Sequence, residues 1–168
     1  MAQHLEKEST YLLTSLPEVV KNWKKEYTKD IYLPPEADHP MIRLRRRGES
    51  FFMTKKYPKV AGDFSTMVEE TIVLTESEYK YFETHVPGLE LEKNRYSLRE
   101  ATYTIEVDEY LGKLSPLIVM DIEWDNDVEE LDLSSFKIGK DITQLNALAA
   151  GNLAGKRYED IKEYLECT

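Results

Sequence analysis

The chain has 168 residues, which suits one domain with a sizeable core, and at 41% hydrophobic and 32% charged it has a soluble globular composition rather than a disordered one. A net charge of −10 disfavours a nucleic-acid-binding role, because grip on a phosphate backbone calls for a basic protein. The one cysteine, Cys167, excludes an intramolecular disulfide and a cysteine-based zinc site; the absence of a signal-like apolar run and of any bilayer-length apolar stretch leads us to expect a cytoplasmic protein with no membrane role.

In chain order, residues 5–13 alternate as a strand with Glu6, Glu8 and Thr10 on one face. Carboxylates two apart on a strand can clamp one hard cation, although taken alone they are more simply read as surface charge. Residues 14–23 predict a helix with Ser15 as N-cap, Pro17 in the first turn and Glu18 three residues after the cap; Leu16, Val19, Val20 and Trp23 give it a core face. A short strand is expected around 27–32, then a proline-rich loop over 34–40 in which His39 reads as an exposed loop residue.

Residues 41–56 read as a hairpin that turns at 47–50, with Gly48 free to take a positive φ. Arg43 and Arg45 share one face and Ile42 and Leu44 the other, while Thr54 and Lys56 share a face on the return strand. Two guanidinium forks beside a mobile ammonium suit an anion with several phosphates; the plain alternative is a solvated outer face. Residues 57–63 read as a basic connection. A strand over 67–74 puts Glu69, Thr71 and Val73 on one face, and a helix over 75–83 opens with a capping box of Thr75 and Glu78 and is closed by His85.

Residues 89–98 form another expected strand, with Lys93 and Arg95 on one face. Residues 101–108 alternate clearly, Thr104, Glu106 and Asp108 opposite Tyr103, Ile105 and Val107, and 117–124 set Asp121 and Glu123 against Met120, Ile122 and Trp124. Residues 125–132 are acidic and solvent-facing, and 139–150 and 158–165 are predicted helical. There is no internal repeat.

Nearly every strong strand thus joins an apolar face to a charged one. An open antiparallel sheet with one wet face explains this. So does a closed barrel with a charged lumen and an outer surface covered by helices and loops, in which bases would hold phosphate oxygens and acids would hold a metal. The ordered set Glu6-x-Glu8-x-Thr10, Arg43-x-Arg45, Lys56, Glu69, Lys93-x-Arg95, Glu106-x-Asp108 and Asp121-x-Glu123 resembles the CYTH or triphosphate tunnel metalloenzyme family, with stretches closest to bacterial inorganic triphosphatases.

That resemblance implies an α+β fold over residues 1–168: a closed eight-stranded antiparallel β-barrel, or tunnel, with surrounding helices. It implies hydrolysis of inorganic triphosphate or another triphosphate with Mg²⁺ or Mn²⁺. Glu8, Glu69 and Lys56 would be catalytic. Arg43, Arg45, Lys56, Lys93 and Arg95 would bind substrate, and Glu6, Glu8, Asp121 and Glu123 would bind metal. Thr10, Glu106 and Asp108 would support them. Alternatives are an adenylate cyclase-like or organic triphosphatase activity, a tunnel that binds polyphosphate or nucleotide without hydrolysis, and an interaction module; apolar outer strand faces also suit a homodimer. Three positions depart from the family pattern: Thr10 stands where lysine is expected, Met67 where arginine is and Thr71 where glutamate is, and the later Arg-Tyr-x-Asn motif has no counterpart at 147–150.

Overall fold

The structure, a computed structural model, describes residues 3–37, 41–124 and 131–166; the side chains of residues 3–7 and of Phe64 lie outside the described set, as do His39 and Cys167. The alternating stretches become nine strands: β1 (Gln3–Leu13), β2 (Lys24–Leu33), β3 (Ile42–Arg47), β4 (Ser50–Val60), β5 (Asp63–Leu74), β6 (Leu89–Arg99), β7 (Tyr103–Tyr110), β8 (Ile118–Trp124) and β9 (Ile138–Asp141). Three α-helices accompany them: α1 (Glu76–His85), α2 (Ala150–Leu153) and α3 (Tyr158–Glu166).

All strand pairs are antiparallel, in the spatial order β5-β4-β3-β2-β6-β7-β8-β1-β9. Strand β1 is the pivot. One edge of it pairs with β8 over residues 7–12; the other is divided, β5 taking residues 3–7 and β9 taking residues 11–13.

Most outward strand faces are apolar and covered, although Ile72 of β5 is half-exposed. Ile31 and Leu44 lie under Tyr79 and Phe82 of α1, and Val107, Met120 and Ile122 pack with Val20 and Phe136. The opposite faces are charged, then turn apolar toward one end: Thr10 gives way to Leu12, Asp121 to Val119 and Leu117, Lys93 to Leu91, Asp108 to Tyr110 and Asp30 to Tyr32. These apolar ends join Ile142, Leu148, Leu153 and Ile161 of the tail in one core cluster. Burial of apolar area on both faces of the sheet is the dominant stabilising contribution.

Helix α1 starts as its sequence demands. Thr75 Oγ1 accepts from the Glu78 amide at 3.3 Å, and the Glu78 carboxylate accepts from the Thr75 amide at 2.7 Å. Thr75→Ala is expected to cost about 1 kcal/mol of stability, read by urea denaturation.

Four expectations are corrected. The helix expected over 14–23 is a single 3-10 stretch, Glu18–Asn22; Pro17, in extended geometry, is its N-cap, no side chain caps it, and Glu18 bonds Lys21 rather than serving Ser15. Residues 57–63 are not a loose connection but the facing ends of β4 and β5, joined by a tight turn in which Gly62 has φ 86°; a register shift falls between Pro58 and Val60, where proline cannot donate to the ladder. The helix expected over 139–150 begins as β9, because the free edge of β1 at residues 11–13 supplies backbone partners that a helix there would forgo. The strand count is nine rather than eight for the same reason. Of the acidic stretch 125–132, residues 125–130 lie outside the described residues.

Candidate active site

The inward faces converge on a cavity of about 270 Å³. Arg43, Arg45, Lys56, Lys93 and Arg95 line it, as do Glu8, Glu69, Glu106, Asp108, Asp121 and Glu123, with Thr10 and Met67 between them. Glu6 holds the strand position opposite Met67, but its side chain lies outside the described residues. The structure adds Arg47, Tyr32, Tyr110 and Thr143 to this wall.

These charges are not a wet outer face. Lys93 is 2% exposed and Asp108 1%, and Arg45, Arg95 and Glu106 are also buried. Charges this buried persist only when paired and hydrogen-bonded, and each here is. Arg45 donates from Nε and Nη2 to the two oxygens of Asp30 at 2.6 and 2.7 Å. Arg95 donates to both oxygens of Asp108, at 2.6 Å each, and also to Glu106; Lys93 donates to Asp108. Burial alone would raise the carboxyls of Asp30 and Asp108, but Arg45 beside the first, and Arg95 and Lys93 beside the second, hold both well below the usual carboxylate range.

Around this buried centre lies a more open set. Lys56 Nζ donates to Glu8 at 2.8 Å and Arg43 Nη2 to Glu69 at 3.2 Å. Thr71 donates to Glu69 at 3.0 Å and shares a 3.0 Å hydroxyl contact with Thr54. Arg47 bonds Glu26, Ser97 and Glu106. Thr10 Oγ1 donates to Asp121 at 2.7 Å.

The acidic side has one unbalanced place. Asp121 is pushed up to about 6 by burial first, then by the charges of Glu8 and Asp108, against the pull of Arg95. Among the described residues no three acidic or histidine side chains form a ready metal cage. The donor chemistry nevertheless fits a hard divalent cation. Glu8 faces Glu123 and Thr10 faces Asp121 across the β1–β8 ladder, and crowded carboxylates are what such an ion relieves. Acidic and basic side chains balance in the lining, so an anion with several charges would need cations to accompany it.

Arg47 and Asp30 are the functional-region residues that the sequence reading missed. Arg47 extends the period of Arg43 and Arg45 by one more step, a signal hidden by placing it in the turn. Asp30 becomes visible only through the β2–β3 register that sets it opposite Arg45.

The CYTH domain model matches residues 5–152. Among solved structures, the inorganic triphosphatase NE1496 is 20% identical over 90% of this chain and 95% of its own, with a TM-score of 0.60. A candidate adenylate cyclase from Bacillus halodurans is 14% identical, covering 75% of this chain and 83% of its own at 0.59. The PH1012 protein of Pyrococcus horikoshii is 16% identical, covering 73% and 80% at 0.55. At these identities the likeness shows the fold. No curated protein matches the chain.

Proposed function

Since the chain belongs to the CYTH family, whose members are triphosphatases or adenylate cyclases and are generally metal-dependent, we propose that it hydrolyses inorganic triphosphate, or a closely related triphosphate, within a tunnel formed by its strands. The observation that carries this reading is the cavity lined by basic side chains from β3, β4 and β6 and by acidic ones from β1, β5, β7 and β8. The meeting of β1 with both β5 and β8 supports a sheet wrapped around that cavity.

Arg43, Lys56 and Arg47 sit where they can exchange carboxylate partners for phosphate oxygens. Arg45, Lys93 and Arg95, held in place by Asp30, Asp108 and Glu106, form a preorganised, charge-paired wall of the cavity. Glu8, Asp121 and Glu123, with Glu6, would hold Mg²⁺ or Mn²⁺. When bound, such an ion neutralises phosphate charge and lowers the pKa of attached water. Glu69 accepts from Arg43 and Thr71 and would orient a water for in-line attack on the terminal phosphorus.

Phosphate release from inorganic triphosphate, ATP and thiamine triphosphate, each with Mg²⁺, Mn²⁺ or chelator, tests this. The expected result is release from inorganic triphosphate that chelator abolishes. Thr10, Met67 and Thr71, uncharged where the family pattern is charged, favour a second reading of a tunnel that binds without hydrolysing. Tight metal-dependent binding with no release from any of the three would establish that reading in place of the first. Cyclic nucleotide from ATP would mark a cyclase.

A further inference from the structure

We propose that Thr10 is a positioning residue for Asp121: its hydroxyl, standing where the family pattern carries a lysine ammonium, fixes one carboxylate oxygen and leaves the other turned to the cavity for a divalent cation. This rests on the metal-dependent reading of the site given above.

Thr10 and Asp121 are directly opposed across the β1–β8 ladder, and Thr10 Oγ1 donates to Asp121 Oδ1 at 2.7 Å. The other oxygen, Oδ2, has Arg95 Nη2 only at 3.9 Å, beyond hydrogen-bond reach. Among the described residues Oδ2 is therefore the oxygen left for a ligand.

The hydroxyl is itself held. The Thr10 amide donates to Thr143 Oγ1 at 3.0 Å, and the Thr10 carbonyl accepts from the Ile142 amide at 2.8 Å. Thr143 in turn donates to Asp141 Oδ1 through its hydroxyl at 2.7 Å and its amide at 2.9 Å. The chain of bonds Asp141–Thr143–Thr10–Asp121 thus runs from the end of β9 to the cavity wall. A β-branched side chain on a backbone pinned at both its amide and its carbonyl has little χ1 freedom, so its hydroxyl points one way.

A lysine at this position would bring a positive charge of its own to the carboxylates. A hydroxyl orients without neutralising, and so leaves the full carboxylate charge for a metal ion. Thr71, which stands where the family pattern has glutamate, also donates its hydroxyl to a neighbouring carboxylate, that of Glu69. Partners that orient a metal-binding carboxylate typically alter metal affinity by about 10- to 100-fold when removed.

The experiment is calorimetric titration of Mn²⁺ alone into the full chain as wild type, Thr10→Val and Thr10→Ser. Thr10→Val keeps the shape and removes the donor, and is expected to weaken Mn²⁺ binding by about 10- to 100-fold. Thr10→Ser restores the donor and is expected to return affinity to about the wild-type value. A role confined to packing would reverse that order, since valine fills the threonine space and serine does not. Circular dichroism verifies folding; were Thr10→Val unfolded, Thr10→Ala takes its place in the same comparison. Equal Mn²⁺ affinity in the donor-less variant and wild type, equal weakness of the serine and donor-less variants, or no Mn²⁺ binding by wild type would each overturn the proposal. Phosphate release is measured separately. Its absence, with the Mn²⁺ pattern intact, would defeat the hydrolytic reading and leave the role of Thr10 standing.

Discussion

Asp30→Asn is expected to destabilise the protein by about 3–5 kcal/mol at pH 7. Asp30 is 0% exposed and receives two charge-assisted bonds from Arg45, which is itself buried. The amide keeps the shape and removes the charge, leaving a guanidinium that cannot lose its proton with Arg95 as a like-charged neighbour. The penalty is one of an orphaned charge, not of lost packing.

Its pH dependence has a definite sign. The Asp30 carboxyl is lowered in the fold, so its contribution is fully present above the unfolded value of about 3.9 and is lost as pH falls through the folded value. Chemical denaturation of wild type and variant at pH 7 and pH 3 should therefore show a gap that narrows at the lower pH. A gap below about 1 kcal/mol at pH 7 would show the pair to be dispensable to the fold. For the same reason Arg45 is a poor probe of ligand binding, since its replacement disturbs the wall it belongs to.

Glu8→Gln is expected to have the opposite profile, a loss of phosphate release of about 10²–10³-fold with stability changed by no more than about 1 kcal/mol. Glu8 lines the cavity, and its ion pair with Lys56 is partly solvated on both sides, at 17% and 21% side-chain exposure. Glutamine retains an acceptor for Lys56 but no longer offers a charged oxygen to a cation or a water. Steady-state phosphate release and thermal melting of the same preparation separate the two effects. Unchanged turnover would remove Glu8 from the metal-binding set, and a large fall in melting temperature would recast it as structural.

Much of this organisation is legible in the sequence, because period-two alternation is strict where a strand has one charged and one apolar face. The hairpin of Arg43, Arg45 and Lys56, the box of Thr75 and Glu78, and the opposed faces of β7 and β8 all follow from local pattern. The misses come where local pattern is overridden. Residues 138–141 carry little strand signal of their own and become β9 because β1 has an unfilled edge. Ser15 does not cap because the short 3-10 stretch begins only at Glu18, with Pro17, extended at ψ 141°, as its N-cap. The partnering of Arg45 with Asp30, and of Thr10 with Asp121 at a separation of 111 residues, depends on register between distant strands, which no window of sequence contains.

The divided edge of β1 also governs when the protein can come into being. Strand β1 waits for β5, then β8, then β9, and the bond between Thr10 and Thr143 spans 133 residues. Until β8 and β9 have been synthesised, β1 has one edge wholly and the other partly unsatisfied, the condition in which strands associate with the wrong partner. Distant pairings of this kind slow folding in general, and nascent chains stalled before β8 cannot set Glu8 opposite Glu123 or Thr10 opposite Asp121. A chain cut short before β8 therefore keeps the β1–β5 pairing but lacks the β1–β8 ladder.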